Sequence, residues 1–512
     1  MNSQPNILLI CTDQQRSDSL GCAGNPHAQT PHIDSIANRG TRFRRHNTPM
    51  QICSPSRATM ITGLYPRHHR LAMNGMALPD DVRVITDTLT AAGYRTHGVG
   101  KQHLQPLLAP EELHMPDSRA FWTTPESNDW NGPYYGYQTV DLLLGESDTA
   151  HLAGHYATWL RENHPESVPL LQVSAASEPP PADLDEVWRS AMPVEHHYNS
   201  WITDRAESFL EQSAAESDPF FLFVSYPDPH HPFDPPAAYA DRYDRTVMPV
   251  IRLSDRERRR QLPYYDKLYP KGQGFRELYW KARTDVEAGS MISTDTIGDC
   301  SMQLAVAFTH AMVEMIDDQV GRLLQTLDRI GISDSTVVIF TSDHGELLGD
   351  HGLLHKGPPP YRQLTEICLL MKGPGIPSQT TIDAMTSHID LAPTILDLAG
   401  ISGRCHDFDG VSMAPLLNKP SQSLREYDFG EYHPSSRPEV YNQTVRTEQW
   451  RLTIYPNSPQ WGELFHLAED PSEQINLYGE RDAVAVSSEL NEILRNHFPP
   501  CPDVDNKWIC KW

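Results

Sequence analysis

The tract Cys53-Ser54-Pro55-Ser56-Arg57 runs directly into the apolar-patterned stretch Ala58-Thr59-Met60-Ile61. Cys53 is therefore expected at a helix N-terminus, where unpaired N–H groups and the helix dipole stabilise negative charge. Arg57 adds a planar bidentate donor suited to a tetrahedral oxyanion. A cysteine by itself carries little functional weight, because most are small buried hydrophobes; the five-residue tract is what changes that. Two more polar clusters follow apolar runs directly. They are Asp13-Gln14, after Ile7 to Cys11, and Ser342-Asp343-His344-Gly345-Glu346, after Val337 to Phe340. Taken singly, Asp13 reads equally well as a strand-end turn or helix-cap residue, and Asp343-His344 as a cap with a solvated neighbour.

Positioning these residues falls to short apolar runs. Ile7-Leu8-Leu9-Ile10-Cys11 lies between Pro5 and the polar Thr12 to Arg16, the pattern of a parallel strand buried on both faces. Phe220 to Val224, Val337 to Phe340 and Ile367 to Met371 repeat it. Within Ala305 to Ile330, Met312, Met315, Ile316, Val320, Leu323, Leu324 and Leu327 recur at spacings of three and four, which predicts a helix that Gly331 stops. Strands alternating with helices indicate a doubly wound α/β sheet. In such a sheet functional residues collect beyond the carboxyl ends of the strands. Asp13-Gln14 and Ser342 to Glu346 both fall there, far apart in sequence yet within reach of one crevice.

Residues 106–195, rich in Pro, Asp, Glu, Trp and Tyr, read as insertions that decorate this sheet and shape the substrate. Among them Trp122, Trp130, Tyr134 and Tyr135 could stack on a ring or simply pack the loops. Beyond about Arg404, strand-like segments at Thr444 to Thr447, Trp450 to Tyr455 and Glu463 to Leu467 predict a smaller α+β subdomain with an antiparallel sheet. The division expected is a catalytic domain over 1–403 and a C-terminal subdomain over 404–512. No internal repeat is found.

Composition narrows the class. A chain of 512 residues with 39% hydrophobic and 21% charged residues is that of a folded globular protein. Its net charge of −25 argues against nucleic acid or an anionic membrane as partner. No apolar run approaches the ~20 residues needed to span a bilayer, and Met1 to Pro5 lacks the basic region of a signal peptide. The eight cysteines are scattered without a CxxC pair, so a reducing, cytoplasmic location is expected. Cys501 and Cys510 could pair, although nothing requires it.

The tract from Cys53 to Arg57, continuing to Thr62-Gly63-Leu64-Tyr65-Pro66, closely resembles the signature of the type I sulfatases. The resemblance spans nearly the whole chain, in family order. Pro5 to Ile10 and Thr30-Pro31-His32-Ile33-Asp34 open it. Gly100-Lys101-Gln102-His103-Leu104, Asp228-Pro229-His230-His231-Pro232 and Thr341 to Glu346 follow, and Glu463-Leu464-Phe465 through Asp470-Pro471 to Asn476-Leu477 closes it. It implies an alkaline-phosphatase-like mixed sheet sandwiched by helices, and a metal-dependent, arylsulfatase-like hydrolase of sulfuric esters. It also implies that a formylglycine-generating enzyme converts Cys53 to formylglycine, with Pro55, Ser56 and Arg57 in its recognition sequence. The hydrated aldehyde would attack sulfur, form a covalent sulfated intermediate and then expel sulfate, so that one hard step becomes two easier ones.

By the same resemblance Asp13, Gln14, Asp343 and His344, with Cys53, would hold one divalent ion. Gln14 stands where many members carry Asp, and His344 where many carry Asn. Glutamine offers an oxygen to a hard ion, while the histidine nitrogen departs from an all-oxygen Ca²⁺ cage. Ca²⁺ is the first choice, with Mn²⁺ and Mg²⁺ open. Lys101 and Lys356 would hold sulfate oxygens, His103 would sit near the nucleophile, and His230 or Lys356 near the leaving oxygen. His231 competes with His230 for that place. Without the Lys101-Gln102-His103 block, a packed or solvated ring would be the better reading of His103 in a chain with 24 histidines. Glu346, Arg67 and His69 read equally well as site residues or as supporting ones.

The substrate implied is a small-molecule sulfate ester, its organic part meeting residues 106–195 and the neighbourhood of Phe408 or Tyr432. The rival is a phosphonate monoester or phosphodiester hydrolase on the same machinery, a branch similar in its Asp-His metal pair. A non-catalytic binding protein on the same scaffold is the third reading; it would be expected to lose the nucleophile or the cations, which this chain keeps. A homo-oligomer is open, with Lys507-Trp508-Ile509-Cys510-Lys511-Trp512 as a candidate contact segment.

Overall fold

In the computed structural model, which describes residues 4–265, 291–401, 407–434, 437–499 and 507–510, the four apolar runs are all strands. The strands in chain order begin with β1 (Asn6–Thr12), β2 (Thr41–Asn47), β3 (Arg95–Gly100), β4 (Thr139–Leu142) and β5 (Phe220–Ser225). They continue with β6 (Ile292–Ser293), β7 (Thr336–Ser342), β8 (Leu353–Leu354), β9 (Glu366–Lys372), β10 (Thr380–Ile382) and β11 (Thr386–Ser387). The last four are β12 (Asp428–Tyr432), β13 (Asn442–Arg446), β14 (Trp450–Ile454) and β15 (Gly462–His466). The helices that matter to the site are α1 (Cys53–Thr62), α2 (Tyr198–Ser213), α3 (Asp299–Arg329) and α4 (Val484–His497).

Among the described residues nine strands make one sheet in the order β10-β2-β9-β7-β1-β5-β3-β4, with β11 also paired to β2. Strand β9 is antiparallel to both its neighbours, while every other pairing in the sheet is parallel. The sheet is therefore mixed. The apolar run Ile367 to Met371 could not report this, because burial on both faces looks the same whichever way a strand runs.

Both faces are covered, as the unbroken runs require. Along β1, Ile7, Leu9 and Cys11 pack with Ala58, Met60 and Ile61 of α1, whereas Leu8 and Ile10 pack with Trp201 and Ile202 of α2 and Val313, Ile316 and Val320 of α3. Helix α3 begins earlier than its periodicity predicts and ends before Gly331, whose φ of 75° is the left-handed conformation of a helix stop. Strands β2, β3 and β4 went unread because segments such as Thr41-Arg42-Phe43-Arg44-Arg45-His46-Asn47 are too polar for the pattern. The stretch 106–195 consists largely of short 3-10 turns, yet it also supplies β4 to the sheet. Its aromatics pack locally: Trp122 lies edge-on to His155, Trp130 to Phe121, and the Tyr134 and Tyr135 hydroxyls donate to Asp117 and to the Leu78 carbonyl.

Strands β12 to β15 form the antiparallel C-terminal sheet, with β12 added to the segments expected. Leu490 and Leu494 of α4 pack on Val445, Leu452 and Leu464 across its face. The boundary at 403/404, Cys405, Cys501, Lys511 and Trp512 lie outside the described residues. Where the C-terminal tail is described it lies on its own chain: Ile509 and Cys510 N–H groups donate to the Gly75 carbonyl, and Trp508 packs with Met50, Ile52 and Met73. Tyr432 joins that same cluster. Among the described residues no helix is long and apolar enough to cross a membrane.

Candidate active site

Strands β7, β1, β5 and β3 lie side by side and run the same way, so their carboxyl ends form one rim. Asp343 and His344 leave β7, Asp13 and Gln14 leave β1, Asp228 to His231 follow β5, and Lys101 to His103 leave β3. Backbone bonds tie the rim together: Asp13 N–H donates to Asp228 O, Asp343 N–H to Thr12 O, and Lys101 N–H to Ser225 O. Every residue of the sequence-derived set meets there, and all are buried; Cys53 is 1% and His103 8% exposed.

Cys53 is the first residue of α1, as its tract predicts. The Ser54 N–H, one of the groups a helix leaves unpaired at its start, is taken by Asn74 Oδ1 at 3.1 Å. Around Cys53 Sγ stand Lys356 Nζ at 3.0 Å, His344 Nε2 at 3.3 Å and Asp13 Oδ1 at 3.6 Å. Burial, reinforced by the Asp13 carboxylate, pushes the thiol up to about 12. A thiol so placed is protonated at neutral pH and makes a poor nucleophile.

Ligand atoms of Asp13, Cys53, Asp343 and His344 all lie within 4.8 Å of one another. Burial raises Asp13, but the Lys101, Lys356 and Arg57 cations outweigh it and hold its carboxyl well below the usual range. Asp343 goes the other way, to about 6, through burial and then the charge of Asp13. Two buried carboxylates that repel each other, with a histidine that burial and Lys356 keep neutral, are a donor set matched to a divalent cation. Gln14 adds an amide oxygen, 2.8 Å from Lys356 Nζ, from a backbone held at φ 64°.

Arg57 serves these carboxylates. Its guanidinium donates to Asp343 Oδ2 at 2.9 Å, Asp13 Oδ2 at 3.2 Å, Lys101 O at 2.6 Å and Ser225 Oγ at 2.7 Å. Four of the five N–H donors an arginine has are thereby taken. Arg57, expected as an oxyanion donor, is set by these bonds against the two carboxylates. Lys101 Nζ reaches Asp13 Oδ2 at 2.8 Å and Glu146 Oε2 at 3.2 Å, and these charges keep it ionised despite its burial. His230 donates from Nδ1 to the His231 carbonyl at 2.5 Å, which leaves Nε2 as a buried acceptor with no partner among the described residues. His103 borders a cavity of about 20 Å³ with Lys101, Asp117 and Glu146. Burial, then the charge of Lys101, holds His103 neutral.

Of the undecided residues, Glu346 is in the site, accepting from Gln14 Nε2. His69 sits behind α1, bonded to Thr59 Oγ1 and Leu71 N, and Arg67 pairs with Glu431 of β12. Asn74, Glu146 and Ser225 also belong to the site but are not legible in the sequence, because they stand alone in their segments with no motif to mark them. The larger clefts, such as one of 360 Å³ lined by Arg16, Arg42 and Arg362, lie away from this chemistry.

The family model described as Sulfatase matches residues 5–401, and one described as N-sulphoglucosamine sulphohydrolase, C-terminal, matches residues 349–498. An arylsulfatase of Clostridium perfringens (strain 13 / Type A) is 26% identical over 502 residues, covering 96% of this chain and 94% of that protein. A multifunctional alkaline phosphatase superfamily protein of Trinickia caryophylli is 28% identical over 511 residues, covering 93% and 92%. Among solved structures, the phosphonate monoester hydrolase of Agrobacterium radiobacter superposes with a TM-score of 0.75 at 24% identity, covering 96% of this chain and 95% of that one. The mixed sheet between helix layers is accordingly of the alkaline-phosphatase-like kind.

Proposed function

Because the chain belongs to the sulfatase family, and so is a hydrolase acting on sulfate esters, we propose that it cleaves an aryl or small alkyl sulfate with a formylglycine made from Cys53 and one divalent ion. The observation that carries this reading is the setting of Cys53, ringed by Lys356, His344 and Asp13 at a helix start while its own thiol is held protonated. Such a setting suits a hydroxyl nucleophile better than a thiolate, which favours a modified side chain over a working cysteine. Asp13, Gln14, Asp343 and His344 would hold the ion, with Ca²⁺ first and Mn²⁺ or Mg²⁺ as alternatives. When bound, it lowers the nucleophile's pKa and offsets charge on the sulfate oxygens.

The chain's own residues divide the remaining work. Lys101 and Lys356 supply fixed positive charge for the sulfate oxygens against the protein's overall −25. Lys356 carries protons it can lend to the leaving oxygen, and His230 Nε2 is placed to accept one. His103, beside Lys101 at the small cavity, would sit near the nucleophile. Pro55, Ser56 and Arg57 would guide the maturation enzyme to Cys53. A cytoplasmic location is supported by Cys11, Cys22, Cys53, Cys300 and Cys368, none of which carries a disulfide.

The Asp343-His344 pair favours one second reading, a phosphonate monoester or phosphodiester hydrolase, the first of which is the named activity of the Agrobacterium radiobacter neighbour. Peptide mass spectrometry across Cys53 tests the modification directly. A comparison of kcat/KM for an aryl sulfate and an aryl phosphonate ester is expected to favour the sulfate. A strong phosphonate preference would reverse the ranking, and full turnover by Cys53→Ala would remove the mechanism.

A further inference from the structure

Gln14 is a proposed ligand whose donor is not guaranteed by its own chemistry. A carboxylate offers oxygen on either side, but an amide turned over presents an NH₂ group that no cation accepts. We propose that His231 and Glu346 are positioning residues that lock the Gln14 amide with its oxygen toward the ion, an inference that rests on reading Gln14 as a ligand. The amide nitrogen donates to His231 Nδ1 at 2.9 Å and to Glu346 Oε2, which occupies both of its protons. At the other end, Oε1 accepts from Lys356 Nζ at 2.8 Å. Reversal is opposed most firmly at the Lys356 end, because an ammonium cannot accept, and a Glu346 carboxylate in its ionised form cannot donate. A turned amide would set its NH₂ group against the Lys356 ammonium in a side chain that is 1% exposed, where unmatched polar groups are costly.

The lock is itself braced. Glu346 Oε1 accepts from Leu348 N at 2.9 Å and from His355 N, so the carboxylate cannot swing away. The His231 ring stacks on His355 at 3.7 Å and 12°, and His355 Nε2 lies 3.5 Å from Glu186 Oε2. Ligand atoms of Glu186, His231 and His355 come within 4.8 Å of one another, the spacing of a second metal site. Stacked imidazoles, however, keep their in-plane lone pairs in separate, nearly parallel planes, a poor arrangement for converging on one ion. The trio is therefore assigned to supporting the amide. Acceptance at Nδ1 also commits neutral His231 to the tautomer protonated at Nε2.

Calorimetric titration of the full-length, metal-stripped protein with Mn²⁺ and with Ca²⁺ tests the lock without relying on turnover. His231→Phe keeps a ring for the stack and removes the acceptor; it is expected to weaken binding by about 10- to 100-fold, the usual effect of losing a ligand's orienting partner. His231→Asn, whose amide oxygen can still accept from Gln14, is expected to recover most of that loss, and it replaces the phenylalanine variant should that one misfold. In a Gln14→Asp background the ligand has no wrong face, so adding His231→Phe is expected to change affinity by no more than about twofold. An equal loss in both backgrounds, or none in either, overturns the lock. Failure of the unaltered protein to bind either ion overturns the ligand reading and the lock together.

Discussion

Arg57 concentrates the site's electrostatics in one side chain. With four donors spent on Asp13, Asp343, Lys101 and Ser225, it holds two repelling carboxylates in place. Arg57→Met is expected to cost about 3–5 kcal/mol, the usual consequence of stranding buried charge, and the urea midpoint will report it; a loss below about 1 kcal/mol would mean that the lysines suffice. Asp343 adds a pH signature. Its carboxyl is raised to about 6, so its contribution to metal-free stability is full below about pH 4 and is lost as pH rises through about 6. Ionising it by pH 7 costs the metal-free protein about 3 kcal/mol. A cation must displace that proton, so affinity is expected to fall about tenfold between pH 7 and pH 5, measured by calorimetry. A flat profile would exclude Asp343 as a ligand. The residue types here were legible in the sequence, but the partner that Arg57 meets was not, because four separate strand ends supply it.

At the scale of elements, the short helix Pro66–His69 after α1 is clamped to β12 of the C-terminal sheet. Arg67 donates to Glu431 through its backbone N–H and its guanidinium, and lies over the Phe498 ring at 4.2 Å. Burial raises the Glu431 carboxyl, but His433 and Arg67 outweigh it and bring it down to about 2. A depressed carboxyl contributes stability above its unfolded value of about 4.5, and that contribution is lost as pH falls toward 2. Arg67→Met is expected to cost about 3–5 kcal/mol at pH 7, with the deficit narrowing in acid, seen in thermal melts at pH 7 and pH 3.5. The sequence could not separate Arg67 from the site residues, since it stands in the same conspicuous block. The joint it serves exists only once β12, a strand the alternation pattern passed over, is in place.

Over the whole molecule, an ion bound where β1 and β7 end should stabilise the sheet that carries it. At a free concentration one hundred times its dissociation constant the gain is about 2.7 kcal/mol. Chelation is expected to lower the melting temperature, and re-addition of Ca²⁺ or Mn²⁺ to restore it; a melt indifferent to both would leave the cluster of Asp13, Asp343 and His344 without its ion. What the sequence determined by itself is local: the apolar runs of β1, β5, β7 and β9, the long α3, Cys53 opening a helix, and the polar pairs just past the strand ends. Those features are written in residue type and spacing over a few turns or a few strand residues. The tertiary structure decided the rest: the order β7-β1-β5-β3 that makes four distant segments one rim, the reversed direction of β9, the pairing of Glu146 with Lys101, and the orientation of the Gln14 amide. Each of these depends on which strands become neighbours. Local pattern cannot encode that, because a strand buried on both faces looks the same at any place in the sheet and in either direction.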